Sequence, residues 1–400
     1  MEDTFISSYL HHTSIYESPG SFWKWSAYAS IAATLRDHCY LKQGDRLLFP
    51  NIYVLFLGES GVRKGPPVDL SETLLAKVNN TKIISGRSSI QAIMDELSRA
   101  ETDKTTGKIT KAGSAIFYAA EMGAGIVADP DSLKILTDIY DYRTNPYKSR
   151  LRTGPCFNLE RIVFSMLAAS NEAMLKSLFG VAEIQGGFLA RIFLVTPDEQ
   201  RPPNSLMRLD PEERKKSLSN VLSLFRGVSE LKGEFIIEED AIDEYETWYK
   251  AFKKGYQTKK EVSGIIGRIH TSALKLALIL AANNLRLNVT KEDMEGAINE
   301  CLALLPNYSV FTMNNLGKTE QSQAGGLVLT TLIVSRCYMT TRKELIREHW
   351  QAGLNAELLD KILVSFESAG MIQQIQQKDG LWIKLTPYCV EMMGSKGTAC

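Results

Sequence analysis

IYVLFLGESGVRKGPPVD, residues 52–69, is the stretch on which the fold reading turns. An apolar β-type run, Ile52 to Leu57, feeds a glycine-bearing loop, then Lys64, then a helix opening at Pro66-Pro67. Loop N–H groups in such a turn point inward, the helix dipole favours negative charge, and a lysine adds a full positive charge, so the segment reads as an anion site. Against the phosphate-loop pattern G-x-x-x-x-G-K-[ST], Gly58 and Lys64 are in place. Arg63 stands at the second glycine position and Gly65 at the hydroxyl position, which removes the usual Mg²⁺ ligand. Pro66 has no N–H to offer a phosphate. The competing reading is a strand-to-helix turn that happens to contain glycine and lysine.

Working outward, 400 residues allow two or three domains and a sizeable core. Lys plus Arg and Asp plus Glu number 46 each, so bulk charge points to neither nucleic acid nor membrane. The six cysteines (Cys39, Cys156, Cys301, Cys337, Cys389, Cys400) lack C-x-x-C spacing. That argues for reduced thiols and against a zinc site; no metal-ligating residues are assigned. The N-terminal MEDTFISSYLHH has no signal-peptide progression. The longest apolar helix candidate, Ser272 to Ala282, is short for a bilayer and carries Lys275. The expectation is a soluble, cytoplasmic protein without membrane contact.

Five zones follow. Residues 1–45 read as a helical segment with the aromatic cluster Phe22, Trp23, Trp25 and Tyr28, taken as core packing. Residues 46–205 alternate β-type runs (52–57, 82–85, 115–119, 162–169, 192–195) with helical segments, the signature of an α/β sheet. Residues 206–316 are mainly helical, and polar residues 317–326 read as a linker. Residues 327–390 form a small unit: a helix, a second opened by the capping box Thr341-Arg342-Lys343-Glu344, a third ending at Gly370, then a hairpin turning at Lys378-Asp379-Gly380. That is winged-helix order. Its third helix carries Glu357, Asp360 and Glu367 against Lys361, which favours protein contact or weak DNA binding over base reading.

Three further runs carry chemistry. SAIFYAAEMGAGI (114–126) ends in Glu121, placed as a strand-end glutamate that could polarise water beside a γ-phosphate. Ala120 stands where an aspartate commonly holds Mg²⁺, and Glu121 could equally be a solvated residue ending a strand. RIVFSMLAASNEAML (161–175) puts Ser170-Asn171 at the carboxyl edge of the sheet, where open α/β folds bind ligands. GGFLARIFLV (186–195) has Arg191 entering an apolar strand, which needs a partner charge or an interface; a structural ion pair is the alternative. Between them, YRTNPYKSRLRTG (142–154) concentrates Arg143, Lys148, Arg150 and Arg152 with two tyrosines and no acid. This suits tracking a single strand's backbone, or equally a solvated basic hairpin.

The order of these segments resembles the P-loop ATPase family of prophage and plasmid helicase–primase proteins, kin to superfamily-three and AAA+ helicases. The matching pieces are SFWKWSAYASIAATL, PNIYVLFLGESGVRKG, FYAAEMGAGI, LAASNEAML, GGFLARIFLV and GRIHTSALKLALILAANN, and the resemblance covers about residues 3–308. The resemblance implies an α/β P-loop NTPase core (AAA+/RecA-like), with the N-terminal helical segment, a helical lid region and the C-terminal winged-helix unit. It implies that Gly58, Glu59, Ser60, Gly61, Val62, Arg63, Lys64 and Gly65 hold ATP with Mg²⁺. Glu121 would activate water, Asn171 would sense the γ-phosphate, Arg191 would serve as an arginine finger in trans, and Arg268 would be a second sensor. A finger in trans implies a homo-oligomeric ring, most simply a hexamer. Arg143, Lys148, Arg150 and Arg152 would line its channel against single-stranded DNA.

The implied function is an ATP-dependent DNA helicase or translocase of a phage or mobile-element replication system in a bacterial host cell, working with a separate primase or polymerase. Gly65 and Ala120 depart from the pattern and put efficient hydrolysis in question. Two alternatives remain: a catalytically weak ATP-binding ring acting as scaffold, origin-binding protein or loader, and a winged-helix DNA-binding regulator.

Overall fold

The computed structural model describes residues 3–392 apart from 79–80, 87, 100, 103–108, 111, 123–131, 142–146, 150–156, 160, 179–186, 200, 205–209, 257–262, 309–310, 312–319 and 378–379. It divides into two units, Met1–Cys301 and Leu302–Cys400. The first unit begins with α1 (Phe5–His12), α2 (Gly20–Leu35), β1 (Cys39–Gln43), β2 (Arg46–Leu48), β3 (Tyr53–Leu57), α3 (Gly65–Val78), β4 (Lys82–Ser85) and α4 (Ile90–Ser98). Next come β5 (Ala112–Ala119), α5 (Ser132–Tyr140), β6 (Arg161–Ser170), α6 (Glu172–Leu178) and β7 (Ile192–Val195). Helices α7 (Pro211–Ser229), α8 (Glu239–Tyr256), α9 (Ser263–Asn283) and α10 (Lys291–Ala303) follow.

The centre is a five-stranded sheet in the order β7-β3-β6-β5-β4. Every pairing in it is parallel. All residues of β3 and β7 are buried, as strands covered on both faces must be, which is why they read as unbroken apolar runs. The chain leaves β3 towards β4 at one edge and leaves β6 towards β7 at the other. Neighbours β3 and β6 therefore send their loops apart, and the crevice between them lies at the carboxyl edge of the sheet.

Helix α2 is buried around almost its whole circumference. Its aromatics reach the sheet: Phe22 stacks on Phe56 at 4.6 Å and Trp25 meets Phe193 at 4.9 Å. Its small hydroxyl residues let neighbours approach while staying hydrogen-bonded. Ser26 bonds Tyr9 at 2.9 Å, Ser30 bonds Ser71 of α3 at 2.6 Å, and Ser71 bonds Tyr118 of β5 at 3.0 Å. This buried hydroxyl chain is satisfied and ties α3 to α2 and β5, fixing the helix that follows the 58–65 loop.

Several expectations change. The N-terminal segment is not helical to residue 45, because β1 pairs with β2 and, in parallel, with Gly233–Glu234. Helix α9 is longer than the apolar window suggested, and its Gly264–Asn283 stretch is long and apolar enough to cross a membrane, although 61% of it is buried within the protein. Cys39, Cys301 and Cys389 are free and buried, whereas Cys337 is disulfide-bonded, against the expectation of reduced thiols throughout.

The second unit comprises α11 (Glu320–Val334), β8 (Met339–Thr341), α12 (Arg342–His349), α13 (Ala356–Ser368), β9 (Ile372–Gln377), β10 (Gly380–Leu385) and α14 (Pro387–Met392). Helix α11 starts inside the stretch read as a linker. An antiparallel sheet, β8-β10-β9, packs with the helices around Val328, Leu332, Leu345, Leu359 and Ile383. The capping box forms as read, with Thr341 and Glu344 each satisfying the other's backbone N–H. Asp360 on α13 is held by Arg342 at 2.9 Å, so part of that helix's negative charge is neutralised within the unit.

Candidate functional site

Strand register brings three of the expected residues to one place. Ser170 lies opposite Leu57, and Ala168 opposite Ala119. Just past the ladder, Gly58 N–H donates to Ser170 O at 3.3 Å and Met122 N–H to Ala169 O at 2.6 Å. Gly58, Glu121 and Asn171 therefore leave the sheet at the same level, from three adjacent strands, at the crevice between β3 and β6.

The 58–65 loop curls around its own lysine. Lys64 Nζ donates to Gly58 O at 2.6 Å and to Glu59 O at 2.7 Å. Partial burial pulls its pKa down, while Glu59 and Glu121 pull it up, so Glu121 lies within electrostatic reach of the ammonium. Two residues of the loop are left-handed, Gly61 at φ +92° and Arg63 at φ +57°. The second, Arg63, adopts a conformation that is strained for residues with a Cβ. Arg63 is anchored to Glu17 by an ion pair of 2.6 Å. Helix α3 then opens at Gly65, and Pro66 and Pro67 leave two positions of its first turn without an N–H donor.

Asn171 caps α6, its Oδ1 accepting from Met174 N–H at 2.8 Å. That bond fixes the amide orientation and leaves the Nδ2 donor without a hydrogen bond among the described residues. Glu121 is exposed at its strand end, as is Ala120 before it. The edge thus offers a cation resting on neutral carbonyls, a carboxylate, and an oriented amide donor. Such a set can hold a polyanion and align a water beside it.

Arg191 and Arg268 are elsewhere. Arg191 sits in a 3-10 turn before β7 rather than in the strand, and Ile192 is level with Tyr53, the first residue of β3. This is the amino edge, a β3 length (5 residues) from the loop, roughly 16 Å at about 3.3 Å per residue. Both arginines converge on Asp141, which sequence reading missed: Arg191 Nη2 at 2.8 Å and Arg268 Nη1 at 3.0 Å from Oδ2. Burial raises the pKa of Asp141, but Arg191 and Arg268 outweigh it and hold the carboxyl below its ordinary value. Arg191 Nη1 also donates to Gly187 O at 2.8 Å, while its Nε is buried without a hydrogen-bond partner among the described residues.

A third cation completes this edge. Lys275 is fully buried, donates to Asn51 O and Oδ1 at 2.9 and 2.8 Å, and lies 3.9 Å from the Tyr140 ring centroid. Burial pushes its pKa down to about 7, with Asp141 opposing and Arg191 and Arg268 reinforcing. Asn51 in turn donates to Tyr140 O and Phe164 O, each at 3.0 Å.

Of the basic segment, Arg143, Arg150 and Arg152 lie outside the described residues. Lys148 falls in Tyr147–Ser149, which pairs antiparallel with Phe157–Leu159. Compared with family models and with curated proteins, the chain matches none.

Proposed function

We propose that this chain is a P-loop nucleoside triphosphatase that works as a DNA-translocating ring. The observation that carries the reading is the meeting of the Lys64 loop, Glu121 and Asn171 at one carboxyl edge, with the Asn171 strand lying between the other two. In this reading the loop N–H groups of 59–65 and Lys64 bind the phosphates of ATP. Lys64 exchanges its carbonyl partners for phosphate oxygens, Glu121 orients and deprotonates the attacking water, and Asn171 Nδ2 donates to the γ-phosphate or that water. Bound Mg²⁺ would neutralise charge on the phosphate oxygens.

A strand length separates Arg191 from its own loop, so in this reading it acts on a neighbouring protomer after leaving Asp141, its partner in an ion pair within this chain, while Arg268 is a second sensor. A head-to-tail contact of that kind closes into a ring, read as a hexamer. Single-stranded DNA would pass the basic segment that includes Lys148, and the helix-strand-helix-helix-hairpin order of the second unit supports a winged-helix module. The setting is replication of a phage or mobile element in bacterial cytoplasm, with a separate primase or polymerase as partner. Gly65 and Ala120 favour one rival, a ring that binds ATP and hydrolyses it poorly.

ATP hydrolysis by the full chain, with and without single-stranded DNA, separates the two. DNA-stimulated turnover lost in Lys64→Ala and Glu121→Gln supports the motor. DNA binding without turnover above those variants establishes the scaffold.

A further inference from the structure

The arginines at the amino edge carry more donors than their one carboxylate uses. Asp141 Oδ2 accepts from Arg191 Nη2 at 2.8 Å and from Arg268 Nη1 at 3.0 Å, and Oδ1 keeps a longer contact with Arg268 Nη1 at 3.3 Å. Both guanidiniums crowd onto one oxygen instead of forming the two-pronged fork that an arginine and a carboxylate favour. Among the described residues, Arg191 Nε is buried without a partner, and Arg268 Nε and Nη2 make no hydrogen bond. Lys275 lies within electrostatic reach of all three groups, so one carboxylate faces three basic side chains.

The cluster is closed on one side and open on the other. The Arg191 side chain is 10% exposed, against 39% for Asp141 and 35% for Arg268. Gly187 makes room for the inner arginine. Its φ is +90°, and a Cβ there would stand 3.1 Å from Arg191 Nη1, which donates instead to the Gly187 carbonyl at 2.8 Å.

We propose that Asp141 is a built-in stand-in for a phosphate group: it occupies a receptor made by Arg191 and Arg268 and has to be displaced before either arginine serves a phosphate ligand. A phosphate group brings more oxygens and more charge than a carboxylate, so it can use the donors that Asp141 leaves idle. Asp141 and Arg268 reach solvent, so the displaced carboxylate is rehydrated rather than stranded. Asp141 is thus a positioning residue that sets how much phosphate the arginines need before they let go. Only the source of that phosphate, a nucleotide held by a neighbouring copy, rests on the nucleotide reading; free phosphate is the other source.

The test has two arms, both on the full chain. In the first, thermal unfolding is followed against inorganic phosphate at constant ionic strength, with Lys64→Ala in every chain to silence the other edge. Asp141→Asn on this background should gain about 3 °C in midpoint by about 50 mM phosphate, against less than about 1 °C with Asp141 in place. Adding Arg268→Gln should abolish the gain. In the second arm, with Lys64 intact, ATP turnover per chain is measured against protein concentration. Asp141→Asn should reach half-maximal turnover at about tenfold lower concentration although it is less stable, a direction that a merely structural carboxylate does not give.

A phosphate response that is absent from Asp141→Asn, or equal with and without Asp141, overturns the stand-in and leaves the nucleotide reading untouched. So does an Asp141→Asn chain that circular dichroism shows unfolded at every phosphate concentration, whereas one that folds only with phosphate supports it. The expected first arm without the shift in the second supports the stand-in and makes free phosphate its ligand. The expected first arm with wild-type turnover no higher than that of Lys64→Ala overturns the nucleotide reading alone.

Discussion

The two edges of the central sheet treat their cations in opposite ways. At the carboxyl edge, Lys64 rests on two neutral main-chain carbonyls. At the amino edge, Arg191 and Arg268 share the Asp141 carboxylate, and Lys275 is held by Asn51 and the face of Tyr140. Carbonyl contacts solvate an ammonium without pairing it to a carboxylate, so Lys64 can be turned to an incoming anion even with Glu59 and Glu121 within electrostatic reach. The second edge is largely neutralised within the chain, and its charges serve the fold until something competes for them.

The largest effect should come from the lysine that rests on carbonyls. Lys64→Ala is expected to weaken ATP-analogue binding at least 100-fold, about 3 kcal/mol. Unfolding by urea should stay within about 0.5 kcal/mol of wild type, because no carboxylate loses its partner. A variant that unfolds instead of losing affinity would make Lys64 a structural residue and erase the contrast.

Asp141→Asn probes the other edge and should act on stability. It leaves Arg191, with side-chain exposure of 10%, facing Arg268 and Lys275 without a carboxylate. Breaking a buried pair costs about 3–5 kcal/mol, and the partial exposure of Asp141 reduces that to about 2 kcal/mol. The pH dependence has a definite sign. The native pKa of Asp141 is depressed, so its contribution is present above the unfolded value of about 4 and is lost as pH falls through the native one. Denaturant midpoints measured below pH 4 should converge for wild type and Asp141→Asn. Curves that stay parallel would show that the carboxylate does not hold the cluster.

Much of this contrast could not be read from the chain. The inner strands were legible because burial on both faces makes them apolar runs, and Glu121 and Asn171 were legible because they end such runs. Asp141 was not, because its partners lie 50 and 127 residues away, and no local pattern encodes a pairing at that distance. Lys275 was noticed only as a charge interrupting an apolar helix.

Lys275 sharpens the amino edge further. Its native pKa of about 7 lies below the unfolded lysine value of about 10.4, so the unfolded chain binds more protons between them. The penalty is complete below about pH 7 and fades as pH rises, by up to about 1.4 kcal/mol per pH unit. Wild-type stability should climb from pH 7 to pH 9 relative to Lys275→Met by roughly 1 kcal/mol, a value reduced because the Tyr140 ring also favours the cation. Identical slopes would mean that Lys275 stays charged across the range.

Arg63 gives the smallest and most informative effect, because two opposing contributions meet there. Its φ of +57° is a conformation that glycine adopts freely and other residues adopt at a cost of about 1 kcal/mol. Its ion pair with Glu17 is worth about 0–1 kcal/mol, since Arg63 is nearly half exposed. Arg63→Gly relieves the first and loses the second, so stability should shift by less than about 1 kcal/mol in either direction. Glu17→Gln removes only the pair and should be weakly destabilising at low salt and neutral at high salt. Glu17 also accepts from Asn204 N–H at 2.7 Å, so the variants separate strain in the loop from its attachment to the N-terminal segment. If Arg63→Gly leaves stability alone but tightens ATP-analogue binding, the arginine restrains a loop that glycine would free. If it weakens binding, the Glu17 anchor is what holds Lys64 in register with Glu121 and Asn171.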